Sequence, residues 1–258
     1  MRRTWRRWTA WFLTLLLALL TALPAAAEEL KTEEPEMQVP ETGKPDWDLS
    51  PLPEAWFDDA VFIGDSITVV LGQEAEARGG LGEALFLNEF SYGVRNAVSG
   101  VLLLWFRGQQ YFPWDALPLT GAGKVFFMLG ANDVAREGGL DKTMECWEEL
   151  CTRIKTNCPD IQIFIQSELP VWHEIYYVGL NNDNLLVYNE RLRSFCEERG
   201  YVYVNVADVF RDEYGGLAER YTSDYYCHIT YEGARLWIET LRDPSVYSED
   251  PRLYGQTA

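Results

Sequence analysis

Short apolar runs alternate with amphipathic stretches from about residue 56 to residue 241. Ala60–Gly64 predicts a buried strand, and Ser66–Arg78 after it has helical character. Residues 84–90 predict a second strand and residues 94–106 an apolar helix, with Pro113 and Pro118 marking a loop. Residues 124–130 carry Val125-Phe126-Phe127-Met128-Leu129, apolar on both faces, and predict a third strand. Leu140, Met144, Trp147, Leu150, Cys151 and Ile154 recur at helical spacing and predict a helix facing the core. A fourth strand over 161–167, a long aromatic loop over 168–184 and a helix over 185–199 follow, the helix closed by Gly200. Residues 201–206 predict a fifth strand, and 230–241 a last helix with Thr230 as N-cap. The remainder, 244–258, is polar and reads as a loosely held tail. Strands alternating with helices imply one α/β domain, residues 56–243, whose parallel sheet is covered on both faces. There is no internal repeat.

The first 55 residues follow another pattern. Residues 1–27 carry four arginines (Arg2, Arg3, Arg6, Arg7), an apolar run and then Ala25-Ala26-Ala27. That order predicts a secretory signal with small residues at its cleavage positions. Left uncleaved, the same run would nearly span a bilayer as an anchor. Residues 28–55 are rich in Glu, Pro, Thr and Lys and predict an acidic linker. The expected location is outside the cell or on its surface.

Charge narrows the partners. The chain has 22 Lys and Arg against 40 Asp and Glu, a net charge of −18, and the basic residues of the first segment make the remainder more acidic still. Such a body argues against nucleic acid and against anionic lipid. A monomer is expected. The five cysteines are an odd number with no Cys-x-x-Cys, and Cys146, Cys151 and Cys158 share one helix and its end, as small core residues do. With two histidines, no metal-ligand spacing is apparent.

Chemistry gathers at strand ends. Ser66 follows the first strand, Gly93 the second and Asn132 the third. In a parallel sheet with right-handed crossovers these ends open on one edge. His228 precedes the last helix, on a loop able to return there. A serine, a histidine and amide donors meeting at one edge suit acyl transfer: Ser66 attacks, His228 carries the proton, and the donors hold the oxyanion.

The motifs extend this reading. Gly64-Asp65-Ser66-Ile67-Thr68 resembles the first block of the SGNH, or GDSL, hydrolases. Asn88-Glu89-Phe90-Ser91-Tyr92-Gly93 is similar to the block that carries an oxyanion glycine, with Gly100 as runner-up. Gly130-Ala131-Asn132-Asp133 resembles Gly-x-Asn-Asp. The resemblance spans roughly residues 59–241. It implies a three-layer α/β/α, flavodoxin-like fold with a five-stranded parallel sheet, Ser66 as nucleophile, and an oxyanion hole built from Ser66, Gly93 and Asn132. It implies neither a metal nor an organic cofactor. The last block departs from the family's Asp-x-x-His, because Asp224 stands four residues before His228 and Tyr225 takes the usual acid position. A helical turn would still put Asp224 and His228 on one face; an extended loop would leave a backbone carbonyl, another acid or a Ser–His dyad. Asp65 reads as a structural hydrogen-bonding residue and His173 as loop packing.

The resemblance implies an esterase, and export with an acidic, aromatic-rich domain tilts the substrate towards small O-acyl groups on extracellular glycan or cell-wall material. A binding module that has lost hydrolysis and an O-acyltransferase are the other readings. Trp172, Tyr176 and Tyr177 fit either a substrate cleft or packing under their loop, as do Trp105, Phe106, Tyr111, Phe112 and Trp114.

Overall fold

The structure, a computed structural model, describes residues 46–176 and 179–254. The predicted signal and the linker up to residue 45 lie outside the described residues.

Five strands form one sheet: β1 (Ala60–Gly64), β2 (Leu85–Asn88), β5 (Lys124–Met128), β6 (Gln162–Gln166) and β7 (Val202–Val204). Their order is β2-β1-β5-β6-β7, every neighbour pair parallel. Strand alternation sorts the core into two layers. Val61, Ile63, Val125, Phe127, Ile163 and Ile165 face one side, and Ala60, Phe62, Phe126, Met128 and Phe164 the other. Both sets are buried, which is why the strands read as unbroken apolar runs.

On the first side lie α2 (Val94–Ser99), α3 (Pro113–Thr120), α4 (Gly139–Asn157) and α5 (Asn182–Arg199), contributing Ala97, Trp114, Leu117, Trp147, Leu150, Tyr188 and Leu192. The second side is covered by α1 (Ser66–Arg78) and α6 (Tyr231–Leu241), through Ile67, Leu71, Trp237 and Ile238. There Phe86, Phe62, Phe126 and Phe164 stack across four strands, with ring centroids 5.1, 4.7 and 4.4 Å apart. Offset ring pairs of this kind add about 0.5–1.5 kcal/mol each beyond area burial.

Two predicted elements differ. The helix expected over 94–106 stops at Ser99, because Gly100 adopts φ 72° and caps it. The chain then forms a hairpin of β3 (Leu104–Phe106) and β4 (Gln109–Tyr111). Arg107 and Gly108 turn it with φ of 49° and 78°, the left-handed pair that a two-residue hairpin requires. The loop expected around Pro113 and Pro118 is α3. Pro113 sits in its first turn, where a missing N–H costs nothing. Pro118 sits inside, and the Trp114 carbonyl it leaves unbonded accepts from Asn157 Nδ2 at 3.0 Å.

The tail is held rather than loose over its described part. The Asn205 amide donates to the Val246 carbonyl (2.8 Å), and the Ser248 amide to the Tyr203 carbonyl (2.9 Å). The tail thereby lies along β7. Tyr247 is buried, its hydroxyl donates to the Leu241 carbonyl, and its ring packs on Trp56 and Phe164. The end of the predicted linker is anchored too: Leu52 is buried and its amide donates to the Arg242 carbonyl at 2.7 Å.

Parallel strands in this order reverse direction of winding between β1 and β5. Ligands of open α/β sheets bind at such a switch point, beyond the carboxyl ends of the strands. Ser66 follows β1 there and Asn132 follows β5.

Candidate active site

Each residue of the Gly64-Asp65-Ser66 turn has a distinct structural part. At Gly64 an added Cβ would lie 1.9 Å from Thr68 Oγ1, so only glycine lets α1 start this close to the strand. Asp65 caps α1, its Oδ1 accepting from the Ile67 amide at 2.9 Å. Ser66 is the first residue of α1, partly exposed, and its amide has no carbonyl four residues back inside the helix.

The third block ties the neighbouring loops together. Asn132 Nδ2 donates to Asp65 Oδ2 (2.7 Å) and to the Tyr92 carbonyl (3.2 Å). It therefore bridges the residue before Ser66 and the residue before Gly93. Asp133 is fully buried and takes the Val94 and Arg95 amides at the start of α2 (2.7 and 3.3 Å). At Gly93 a Cβ would fall 2.4 Å from that carboxylate. Burial pushes Asp133 up, while the Val94 and Arg95 amides oppose the rise. Burial likewise raises Asp65, to about 6, against the pull of the Ile67 amide and of His228.

Ser66 Oγ lies 3.1 Å from His228 Nε2, and His228 Nδ1 lies 2.6 Å from Asp224 Oδ2. Residues 224–228 are neither a helical turn nor an extended loop. Thr222 and Ile229 pair as an antiparallel bridge, and the Ser223 amide donates to the His228 carbonyl, closing a tight bend. Tyr225 takes φ 52°, its amide held by Thr222 Oγ1 at 2.9 Å. That left-handed residue absorbs the extra position in the motif. Asp224 Oδ1 also accepts from the Tyr226 and His228 amides (2.9 and 3.2 Å). Partial burial tends to raise Asp224, but the His228 ring and these amides outweigh it and hold the carboxyl below its ordinary value. An ionised Asp224 only accepts, so Nδ1 carries the ring proton and the Nε2 lone pair faces Ser66.

The expected donors are not equally placed. The Gly93 amide donates to Asn96 Oδ1 at 3.1 Å, and both Asn132 protons are engaged as described. Gly100 ends α2, its amide on the Asn96 carbonyl. His173 packs between Trp172 and Tyr214, with Nδ1 3.0 Å from Asp212 Oδ2.

One role and one residue escaped the motif reading. Asp133 was placed in its motif, but its anchoring of α2 was not read. Glu168, two residues beyond β6, is buried within electrostatic reach of Asp65 and Asp133. Its carboxyl is driven far upward by burial and by the Asp65 charge, with the Ala131 amide opposing. The available signal was position alone: an acid directly after an apolar strand, on the ligand edge.

The GDSL-like lipase/acylhydrolase family model matches residues 62–236. No curated protein matches the sequence. Among solved structures, a platelet activating factor protein from Streptococcus pneumonia shares 20% identity over 71% of this chain and 81% of its own, with a TM-score of 0.57. A GDSL-like lipase from Bacteroides thetaiotaomicron shares 17% over 75% and 89%, TM-score 0.54. A lipolytic protein of the G-D-S-L family from Desulfitobacterium hafniense shares 20% over 71% and 97%, TM-score 0.53. These likenesses establish the fold, and the family match establishes more: the chain belongs to the GDSL-like lipase/acylhydrolase family.

Proposed function

We propose that the protein is an exported serine esterase that removes small O-acyl groups from glycan, through an acyl-enzyme on Ser66. The relay from Ser66 Oγ to His228 Nε2 (3.1 Å) and from Nδ1 to Asp224 (2.6 Å) carries this reading. His228 takes the hydroxyl proton as Ser66 adds to the ester carbonyl, then returns it to the departing alcohol. Water repeats the cycle on the acyl-enzyme. Asp224 keeps the ring proton on Nδ1 and stabilises the imidazolium. The Ser66 amide is the first oxyanion donor. The Gly93 amide adds a second by sharing its proton between Asn96 and the oxyanion. Asn132 gives up its longer bond, to the Tyr92 carbonyl, to supply the third.

The sugar preference rests on an aromatic row beside the relay. Tyr225 meets the Trp172 ring edge-on at 5.2 Å, Trp172 meets His173 at 4.2 Å, and His173 meets Tyr214 at 5.0 Å. Tyr225 and Tyr214 are 57% and 71% exposed, so their faces are open to a ligand. The Trp172 amide donates to the Tyr226 carbonyl at 2.7 Å, fastening this row to the turn that bears His228. Exposed aromatic faces stack on the apolar faces of sugar rings, while His173 and Asp212 offer polar partners for hydroxyls.

The test is hydrolysis of p-nitrophenyl acetate, longer-chain esters and an O-acetylated oligosaccharide by the parent and Ser66→Ala. Turnover by the parent that disappears in the variant supports the esterase. Equal rates in both would overturn it.

A further inference from the structure

A third side chain flanks the Asp224–His228 contact. Cys227 Sγ stands 3.8 Å from His228 Nδ1. With one Asp224 oxygen, these donor atoms all lie within 4.8 Å of one another. The sulfur is a free thiol, partly buried, while Asp224 is exposed.

The sulfur–nitrogen separation suits a soft divalent ion. Zinc binds thiolate at about 2.3 Å and imidazole at about 2.0–2.1 Å, so a tetrahedral site puts its S and N ligands about 3.5 Å apart. The sulfur–nitrogen separation is already close to that value. The Asp224 oxygen, at 2.6 Å from Nδ1, is nearer than two ligands of one zinc stand, about 3.3 Å. It has to withdraw by under about 1 Å, which an exposed side chain can do. Thiolate with imidazole selects zinc-like ions over magnesium or calcium.

We infer that Asp224, Cys227 and His228 form an inhibitory site for Zn2+. The ion bonds to Cys227 Sγ, whose thiol proton goes to solvent, and to His228 Nδ1. The ring proton formerly on Nδ1 moves to Nε2, so the imidazole stays neutral. Nε2 then donates to Ser66 Oγ and no longer accepts its proton, and Asp224 becomes an ion ligand instead of the partner of Nδ1. The histidine is thus locked in the wrong tautomer for general-base chemistry. The loss of activity rests on the esterase reading above; the binding site itself does not.

The experiment uses the full chain, stripped with EDTA, with p-nitrophenyl acetate as substrate. Zn2+ is titrated into the parent, Cys227→Ser and Cys227→Ala, and Mg2+ serves as control. Binding is read separately by adding Co2+ and following the thiolate-to-cobalt absorption band. Removing even an outer-shell partner of a metal site costs about 10–100-fold in affinity, so removing a direct ligand costs at least that. The parent should bind one ion, lose nearly all activity and recover it with EDTA, while Mg2+ does nothing. Both Cys227 variants should keep the basal rate, need at least about tenfold more Zn2+ for inhibition, and lack the cobalt band. Inhibition of equal strength in parent and variants, or an active parent indifferent to Zn2+, would overturn the site and leave the esterase reading standing. A parent inactive on every ester but showing a cobalt band that the Cys227 variants lack would retain the site and remove the esterase.

Discussion

Asp224 meets His228 twice: one carboxylate oxygen lies 2.6 Å from the ring Nδ1, and the other accepts the backbone amide at 3.2 Å. The backbone contact fixes the bend and the side-chain contact fixes the tautomer. Asp224→Asn keeps an oxygen for the bend but loses the anion that holds the Nδ1 proton. Its kcat on p-nitrophenyl acetate should fall by about 10²–10⁴, with far-UV circular dichroism unchanged. An unaltered rate would mean that Ser66 and His228 work as a dyad.

Asn132 Nδ2 is held by Asp65 at 2.7 Å and, by the longer bond, by the Tyr92 carbonyl at 3.2 Å. Under the proposed mechanism, in which this donor serves the developing oxyanion, Asn132→Ala should lower kcat by about 10²–10³ and change KM little. Steady-state kinetics on a soluble acetate ester decides it.

Gly64 has no room for a methyl group, because Thr68 packs against it and Met128 pairs beside it. Gly64→Ala should destabilise the fold by about 1–3 kcal/mol or more, read as a lower urea midpoint. Activity should fall too, since the strain acts at the turn that carries Ser66.

Burial holds Asp65 near 6, above the ordinary 3.8, and Glu168 is raised further in the same direction. A carboxyl that binds its proton more tightly when folded favours the fold at low pH. Asp65's contribution is complete below about 3.8 and disappears as pH rises through about 6; Glu168 extends the same trend upward. Unfolding stability measured in urea should therefore decline from pH 4 towards neutrality more steeply in the parent than in Glu168→Gln. Parallel curves would show that Glu168 is not the group responsible.

Tyr225 occupies the left-handed region, so Tyr225→Gly removes a ring without straining the bend. Its KM for an O-acetylated oligosaccharide should rise about tenfold, equivalent to about 1.4 kcal/mol, while p-nitrophenyl acetate is turned over as before. Equal effects on both substrates would place the ring in the relay's support instead of in sugar binding.

The central sheet was legible because its strands are buried on both faces and read as unbroken apolar runs, Val61 to Ile63 and Val125 to Leu129 among them. The approach of Ser66 to His228 was legible from motif order and strand-end geometry. Residues 94–120 were less so, since apolar content there hides a helix ended by one left-handed glycine, a hairpin and a helix containing Pro118. The Asp224 contact was legible only as one of several alternatives, because the spacing of four leaves the bend open and the observed one depends on the φ angle at Tyr225. Cys227 carried no ligand spacing in the sequence, and its 3.8 Å approach to His228 Nδ1 is seen only in the structure.

Covalent labelling tests the Ser66–His228 relay most directly. The parent, Ser66→Ala and His228→Ala are each treated with a fluorophosphonate and analysed by peptide mass spectrometry. One adduct should form on the parent, on the peptide bearing Ser66, absent from the first variant and strongly slowed in the second. Labelling that lands elsewhere, or that proceeds at the parental rate without the histidine, would contradict it.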